Sequence, residues 1–278
     1  MMIKKVLLLA AALATSSFAT WDYFGIPQNS MGSVKGGMYY DWDGDWSQMG
    51  LKVGGRFNIA PTFELSVQGF GYQVWGETDC AGCEEGGNGI RDLVIGGRYA
   101  LASMVNVFID FNLPIGKDKK NTLGRTPPSN HEMFLYFGGQ FHNDIPALKG
   151  GSFGTEAGFF FGFEHHNKER GLELRLGGEF DYNIPSSPVT ALIGGQLWIR
   201  LFRSEYDNGV KEVNLHDDWS NQFKFWVGAN IAVNEQISIN AQIIARSQDL
   251  KKKSADNNVT INMEGDALGL AADVEFKF

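Results

Sequence analysis

The chain has 278 residues, with 24 Lys and Arg against 32 Asp and Glu, a formal net charge of −8. That balance excludes the basic footprint of a nucleic-acid binder, so no nucleic-acid partner is expected. Gly is abundant at 35, Pro scarce at 8 and aromatics reach 13%, a mix that suits one membrane barrel wall with interfacial rings.

The first element is a leader. Met1 to Ala19 carries Lys4 and Lys5, then the apolar run Val6 to Ala14, then Ser17-Phe18-Ala19. This is the charged start, short apolar stretch and small-x-small end of a secretory signal peptide. Cleavage after Ala19 is expected, leaving residues 20–278 as one domain. The apolar run is shorter than the roughly 20 residues a membrane helix needs. No Cys follows the cleavage point, so no lipoprotein anchor is indicated. Loss of the two lysines leaves 22 basic against 32 acidic residues, a net charge of −10. No long apolar run follows. A chain that crosses a bilayer without one does so as a closed barrel, because every backbone polar group must be paired internally.

The rest of the chain reads as alternating strands. They start near Val34, Gln48, Thr62, Gly89, Val105, Glu132, Phe153, Leu172, Val189, Gln222, Gln236 and Asp266. The expected fold is all-β: a single antiparallel up-and-down transmembrane β-barrel of about twelve strands, with ten to fourteen allowed. The long segment from Thr62 to Gly76 is where a bulge could hide. With apolar faces toward lipid, the polar faces line a lumen. In chain order that lining would include Lys52 and Arg56, Arg98, Asp110, Glu132, Glu156, Arg175 and Glu179, then Arg200, Lys224 and Arg246. Both signs are interspersed, so the lumen could neutralise itself by ion pairing. Twelve strands lie between the filled size near 8 and the open channels near 16. A narrow passage for small hydrophilic or amphipathic solutes is favoured over a cylinder packed by charge networks.

Connections alternate in length. Short ones sit at residues 59–61, 101–103, 184–188 and 233–235, and a medium one at 143–152. Long polar ones sit at 77–88, 114–131, 204–220 and 249–263. Short periplasmic turns and long outer loops are expected of an outer-membrane barrel.

A repeat runs through the strands. Apolar-Gly-Gly-polar-apolar occurs at Val53–Phe57, Ile95–Tyr99, Phe137–Phe141, Leu176–Phe180 and Ile193–Leu197, the first three spaced by 42 residues. Glycine inside a strand permits bend and close approach where a wall curves. The functional alternative is room for a solute or a plug, since the first Gly of four repeats points inward. Aromatics gather near strand ends: Tyr39, Tyr40, Trp42, Trp46, Tyr72, Trp75, Trp219 and Trp226. Anchoring at the headgroup level is the default reading, and a sugar-binding platform the sharper one.

Other motifs carry little chemistry. Cys80-Ala-Gly-Cys83 lies in a long loop with no second pair and no nearby His; in an oxidising compartment it reads as a local disulfide. Asp41-Trp-Asp43-Gly-Asp45 begins like a calcium loop, but Trp46 and Lys52 stand where the EF-hand needs Gly and Glu. His216-Asp-Asp218 with Ser220, set against Asp41 and Asp43, is loosely similar to omptin proteases, yet order and spacing differ. His131, His165 and His166 read as surface polar residues. No cofactor, no metal and no catalytic residues are expected.

The last strand, Gly269 to Phe278, places Leu270, Ala272, Val274, Phe276 and Phe278 on one face and Ala271, Asp273, Glu275 and Lys277 on the other. It resembles the carboxy-terminal signal of outer-membrane barrels, which the assembly machinery reads. The resemblance implies Leu270, Val274, Phe276 and Phe278 as the signal. It also implies a Gram-negative outer membrane as location, with membrane lipid and the assembly machinery as partners. Phe108 to Asp118, a strand ending Leu113-Pro114-Ile115-Gly116 before a charged loop, resembles transporter-like outer-membrane proteins grouped with phenol-degradation pathways. Ile115 stands where that family often has Thr. This resemblance implies transport without naming a substrate. Two alternatives are a closed barrel whose outer loops bind a partner or polysaccharide, and an outer-membrane barrel enzyme.

Overall fold

The last strand closes the molecule. In a computed structural model, Val34 on the first strand pairs with Gly55 on the second and also with Phe276 on the last, so the sheet has no free edge at its seam. The structure describes residues 23–27, 30–42, 46–77, 86–116, 133–163, 168–169, 172–201, 205–207, 212–214, 221–250 and 267–278. Twelve antiparallel staves form the barrel.

The first three staves are β1 (Gly32–Trp42), β2 (Trp46–Ala60) and β3, which runs as Phe63–Gln68 and then Gly71–Glu77. Next come β4, as Gly86–Ile90 and then Leu93–Ala102, β5 (Val105–Leu113) and β6 (Phe134–Asp144). Then follow β7 (Gly151–Gly162), β8 (Leu172–Asn183) and β9 (Val189–Arg200). The last three are β10 (Asn221–Ala232), β11 (Ile237–Leu250) and β12 (Ala267–Lys277). Lys168–Glu169, Glu205–Asp207 and Glu212–Asn214 pair as a separate small sheet within the long connections.

The burial pattern inverts that of a water-soluble barrel. Outward Leu270, Val274 and Phe276 are exposed, Val274 by 50%, while inward Asp273 and Glu275 are buried. Period-2 alternation sets this, because successive side chains leave a strand on opposite faces. Phe278 reinforces the seam. Its carbonyl oxygen accepts from the Met31 amide at 2.7 Å, its amide donates to the Gly32 oxygen at 3.1 Å, and its ring lies 5.9 Å from that of Phe57.

The long third segment does contain a break. Gly69 adopts φ +78°, a region glycine enters at little cost. Below it Glu64 and Ser66 face inward; above it Gln73 and Trp75 do, so the parity flips. β4 breaks at the same height. Gln68 pairs with Val94, and the next pair is Tyr72 with Ile90. Matched interruptions keep the two staves in register. β5 ends at Pro114, which has no N–H to continue the ladder, and Asp92 accepts the Gly116 amide at 2.9 Å.

Candidate functional site

Inward side chains divide the lumen. Toward the short-turn end, Arg56 on β2 is 2% exposed. Its Nε donates to Ser33 Oγ at 3.2 Å and its Nη2 lies 3.5 Å from Glu275. Glu64 stands 3.9 Å from Arg56 and 3.8 Å from Arg98, and Lys35 pairs with Asp273 at 3.4 Å. Isolated ions would be costly in this interior; shared pairing offsets the cost.

Across the lumen the wall is aromatic. Phe108 and Tyr136 have ring centroids 4.9 Å apart, and Phe134 and Phe160 4.6 Å apart. The guanidinium of Arg175 lies 3.8 Å above the Phe160 ring and 4.3 Å above that of Trp198. Glu173 holds Arg175 at 2.9 Å and Arg200 at 3.7 Å. Glu156 accepts from Tyr136 Oη and, at 2.7 Å, from Gln140 Nε2. Glu179 accepts from Trp226 Nε1 at 2.5 Å. Asp110 sits beside Gly96 and Ser66. Toward the long-loop end, Asp41 accepts from Arg246 at 2.9 Å and from Gln48 at 2.7 Å. Lys52 lies on the inward row of β2 between these two groups.

Tyr39, Trp75 and Trp226 correct the headgroup-belt expectation. All three are buried on inward rows. Tyr39 donates to Gln73 at 2.8 Å, and the Lys224 ammonium lies 5.1 Å over the Trp226 ring. Parity outranks position near a strand end in deciding which side a ring faces. Tyr40 and Trp42 keep the outward row, stacked at 5.3 Å.

The largest departure from the sequence-based picture lies before β1. Tyr23, Phe24 and Ile26 are buried, Phe24 at 2%. Tyr23 and Phe24 form an apolar cluster with Tyr39, Leu192, Trp226, Ile244 and Ala271, all from the inner face of the wall. The Tyr23 and Trp226 rings are 5.6 Å apart. Asn58 Nδ2 holds the entering chain, donating to Pro27 O at 2.6 Å and Ser30 O at 2.8 Å. The segment therefore threads into the lumen from the short-turn end. Glycines make room for it. A Cβ on Gly177 would stand 2.6 Å from Tyr23 Oη, and one on Gly154 would strike the Tyr23 backbone. In all five Gly-Gly repeats the first glycine lies on the inward row. Gly177 seats Tyr23 and Gly194 seats the Trp226 ring, so the room is occupied by a plug and by lumen aromatics. Five residues without alternation gave no sequence signal for this segment beyond a run of rings next to the first strand.

Beneath the segment is a cavity of about 930 Å³. Gly25, Ile26 and Pro27 roof it, and Asn106, His142 and Lys277 stand around it. Glu132, Cys80, Cys83, Asp43, His131, His165, His166, His216, Asp218, Ser220 and Trp219 lie outside the described residues, as does the leader.

No family profile and no curated relative matches the sequence. Solved structures do. An outer-membrane channel from Pseudomonas putida F1 is 13% identical, with 94% of this chain and all of that one covered, at a TM-score of 0.65. The translocator domain of the autotransporter NalP from Neisseria meningitidis is 10% identical over 100% of this chain and 95% of that one, at 0.53. LpxR from Salmonella typhimurium is 10% identical over 88% and 100%, at 0.54. These likenesses show the fold, an outer-membrane β-barrel.

Proposed function

We propose that this protein is a non-catalytic channel in the outer membrane of a Gram-negative bacterium, a narrow passage for small hydrophilic or amphipathic solutes. Its own N-terminal segment occludes the path at rest. The observation that carries the reading is the seating of Tyr23 and Phe24 inside the lumen against Gly154, Gly177 and Trp226. A wall packed shut by its own side chains would leave no place for such a segment. The glycine seats fit a piece of chain that is no part of the wall, and on this reading that piece can be displaced. The likeness to the channel from Pseudomonas putida F1 supports the same reading. The short-turn end faces the periplasm, lipid surrounds the outward rows, and the assembly machinery reads the last strand.

Asp41 weighs against one enzyme reading, a protease of the omptin kind. A barrel protease of the omptin kind needs an aspartate free to activate water, whereas Asp41 is engaged by Arg246 and Gln48. One observation favours a closed structural barrel instead: Arg56, Glu64, Arg98 and Glu275 form an ion-paired network on the inner wall of the short-turn half.

Liposome swelling separates the two. Refolded mature protein should admit small sugars slowly, and a variant lacking residues 23–27 should admit them severalfold faster. A folded variant that stays as impermeant as empty vesicles would support the closed barrel.

A further inference from the structure

The carboxylates and the cations of the inner wall lie at different depths. Among the described residues, Glu64, Glu173, Glu179, Asp181 and Glu275 are each between 1% and 3% exposed, and Asp41, Glu156 and Asp273 are buried as well. Asp92 and Asp110 inside the barrel, and Asp144 at its short-turn mouth, are the inward acids with more exposure. The cations are placed the other way. Lys35, Arg175, Arg200 and Arg246 keep 16%, 12%, 11% and 36% of their side-chain surface. Lys52, Arg91 and Lys224 are partly exposed too, whereas Arg56 and Arg98 are buried. Length explains the difference. A short carboxylate stays against the strand that carries it, while a Lys or Arg stem carries its charged head past it toward water.

Lys52 is the least compensated of these cations. In the ladder it lies between Gly37 of β1 and Gly71 of β3, so neither neighbouring strand offers it a side chain. Among the described residues no carboxylate pairs with it. Asp273 acts on it from a distance but already pairs with Lys35 at 3.4 Å, and Lys35, Arg91 and Arg246 all repel it. An anion drawn in here relieves that repulsion, and a cation adds to it. Tyr39, one inward position along β1 from Gly37, belongs to the cluster that holds Tyr23 and Phe24. Lys52 therefore lies close to the level of the occlusion.

We propose that the inner surface of the barrel admits small anions in preference to cations, and that Lys52 sets the preference. Sunken, paired carboxylates such as Glu173 and Glu275 cancel charge within the wall. The heads of the longer cations are then the groups that an entering ion meets, and a lining of one sign concentrates the opposite ion. Parity along the strands mixes the two signs; depth separates them. The inference deepens the channel reading and rests on it for through-flow, while the cationic surface needs access from one end alone.

Reversal potentials in planar bilayers under a potassium chloride gradient read the preference, for the mature chain and for the variant lacking residues 23–27. Both should pass chloride severalfold more readily than potassium. Lys52→Gln should cut the ratio by roughly half, and Lys52→Glu should abolish the preference. Lys149→Gln, in an exposed turn at the short-turn end, should change nothing. A preference for potassium, or a chloride preference that ignores Lys52→Glu, overturns the proposal. Acetylation gives a reading that needs no current. N-hydroxysuccinimidyl acetate and its sulfonated, anionic analogue transfer the same acetyl group, and mass spectrometry compares Lys52 with Lys149 for each. The Lys52 to Lys149 ratio should be severalfold higher with the anionic ester. Equal ratios, or a Lys52 that neither ester reaches, overturn the inference whatever the currents. Silent bilayers together with the charge-dependent labelling defeat the channel and leave the cationic surface standing.

Discussion

The hydroxyl of Tyr23 stands 2.6 Å from where a Cβ would sit on Gly177. A side chain at residue 177 would therefore push the Tyr23 ring out of its seat. Gly177→Leu should evict the segment and leave the barrel closed, since the outward face and the seam are untouched. Solute entry into liposomes should rise severalfold, with the gel shift of the folded barrel unchanged. An unaltered rate in a folded variant would mean the segment does not obstruct the path.

The buried ion network makes a different prediction. Arg56 serves both Glu275 and Glu64. Arg56→Met would take this cation from buried Glu275 and leave Glu64 with Arg98, at a cost of about 3–5 kcal/mol. The urea midpoint of the lipid-embedded barrel should fall accordingly. Replacing Glu275 by Gln in the same chain should recover part of the loss. A midpoint unchanged by Arg56→Met would show that water already reaches these charges.

Much of this architecture was legible in the chain because a barrel wall has one rule. β8 and β12 each begin and end close to where alternation starts and stops. The break near Gly69 was visible only as excess length in the third segment, since the φ that flips the parity leaves no mark on composition. Trp226 was misplaced for an avoidable reason. It shares a face with Lys224 and Asn230, so its parity pointed inward while its place near a strand end suggested a headgroup anchor. The Gly-Gly repeats allowed for a plug, but which segment fills the lumen was not legible. Tyr23 to Pro27 form no ladder, and their position depends on glycines far along the chain, in β7 and β8.

The carboxy-terminal residue carries a structural load that can be measured directly. Phe278 supplies three backbone hydrogen bonds to Met31 and Gly32 and a ring contact to Phe57. Removing it should slow refolding into lipid vesicles, followed by the appearance of the heat-modifiable band, and lower the final yield. Phe278→Ala keeps the backbone bonds and should fall between that variant and the intact chain. Identical folding of all three would contradict a role for this residue in closing the seam.

The central claim is that a continuous path exists and the N-terminal segment blocks it. Single-channel recording in planar bilayers, with the mature chain beside a variant lacking residues 23–27, tests it most directly. The account predicts small, infrequent, salt-dependent steps from the mature chain and larger, steady ones from the shortened chain. Two correctly folded proteins that both remain silent would contradict it.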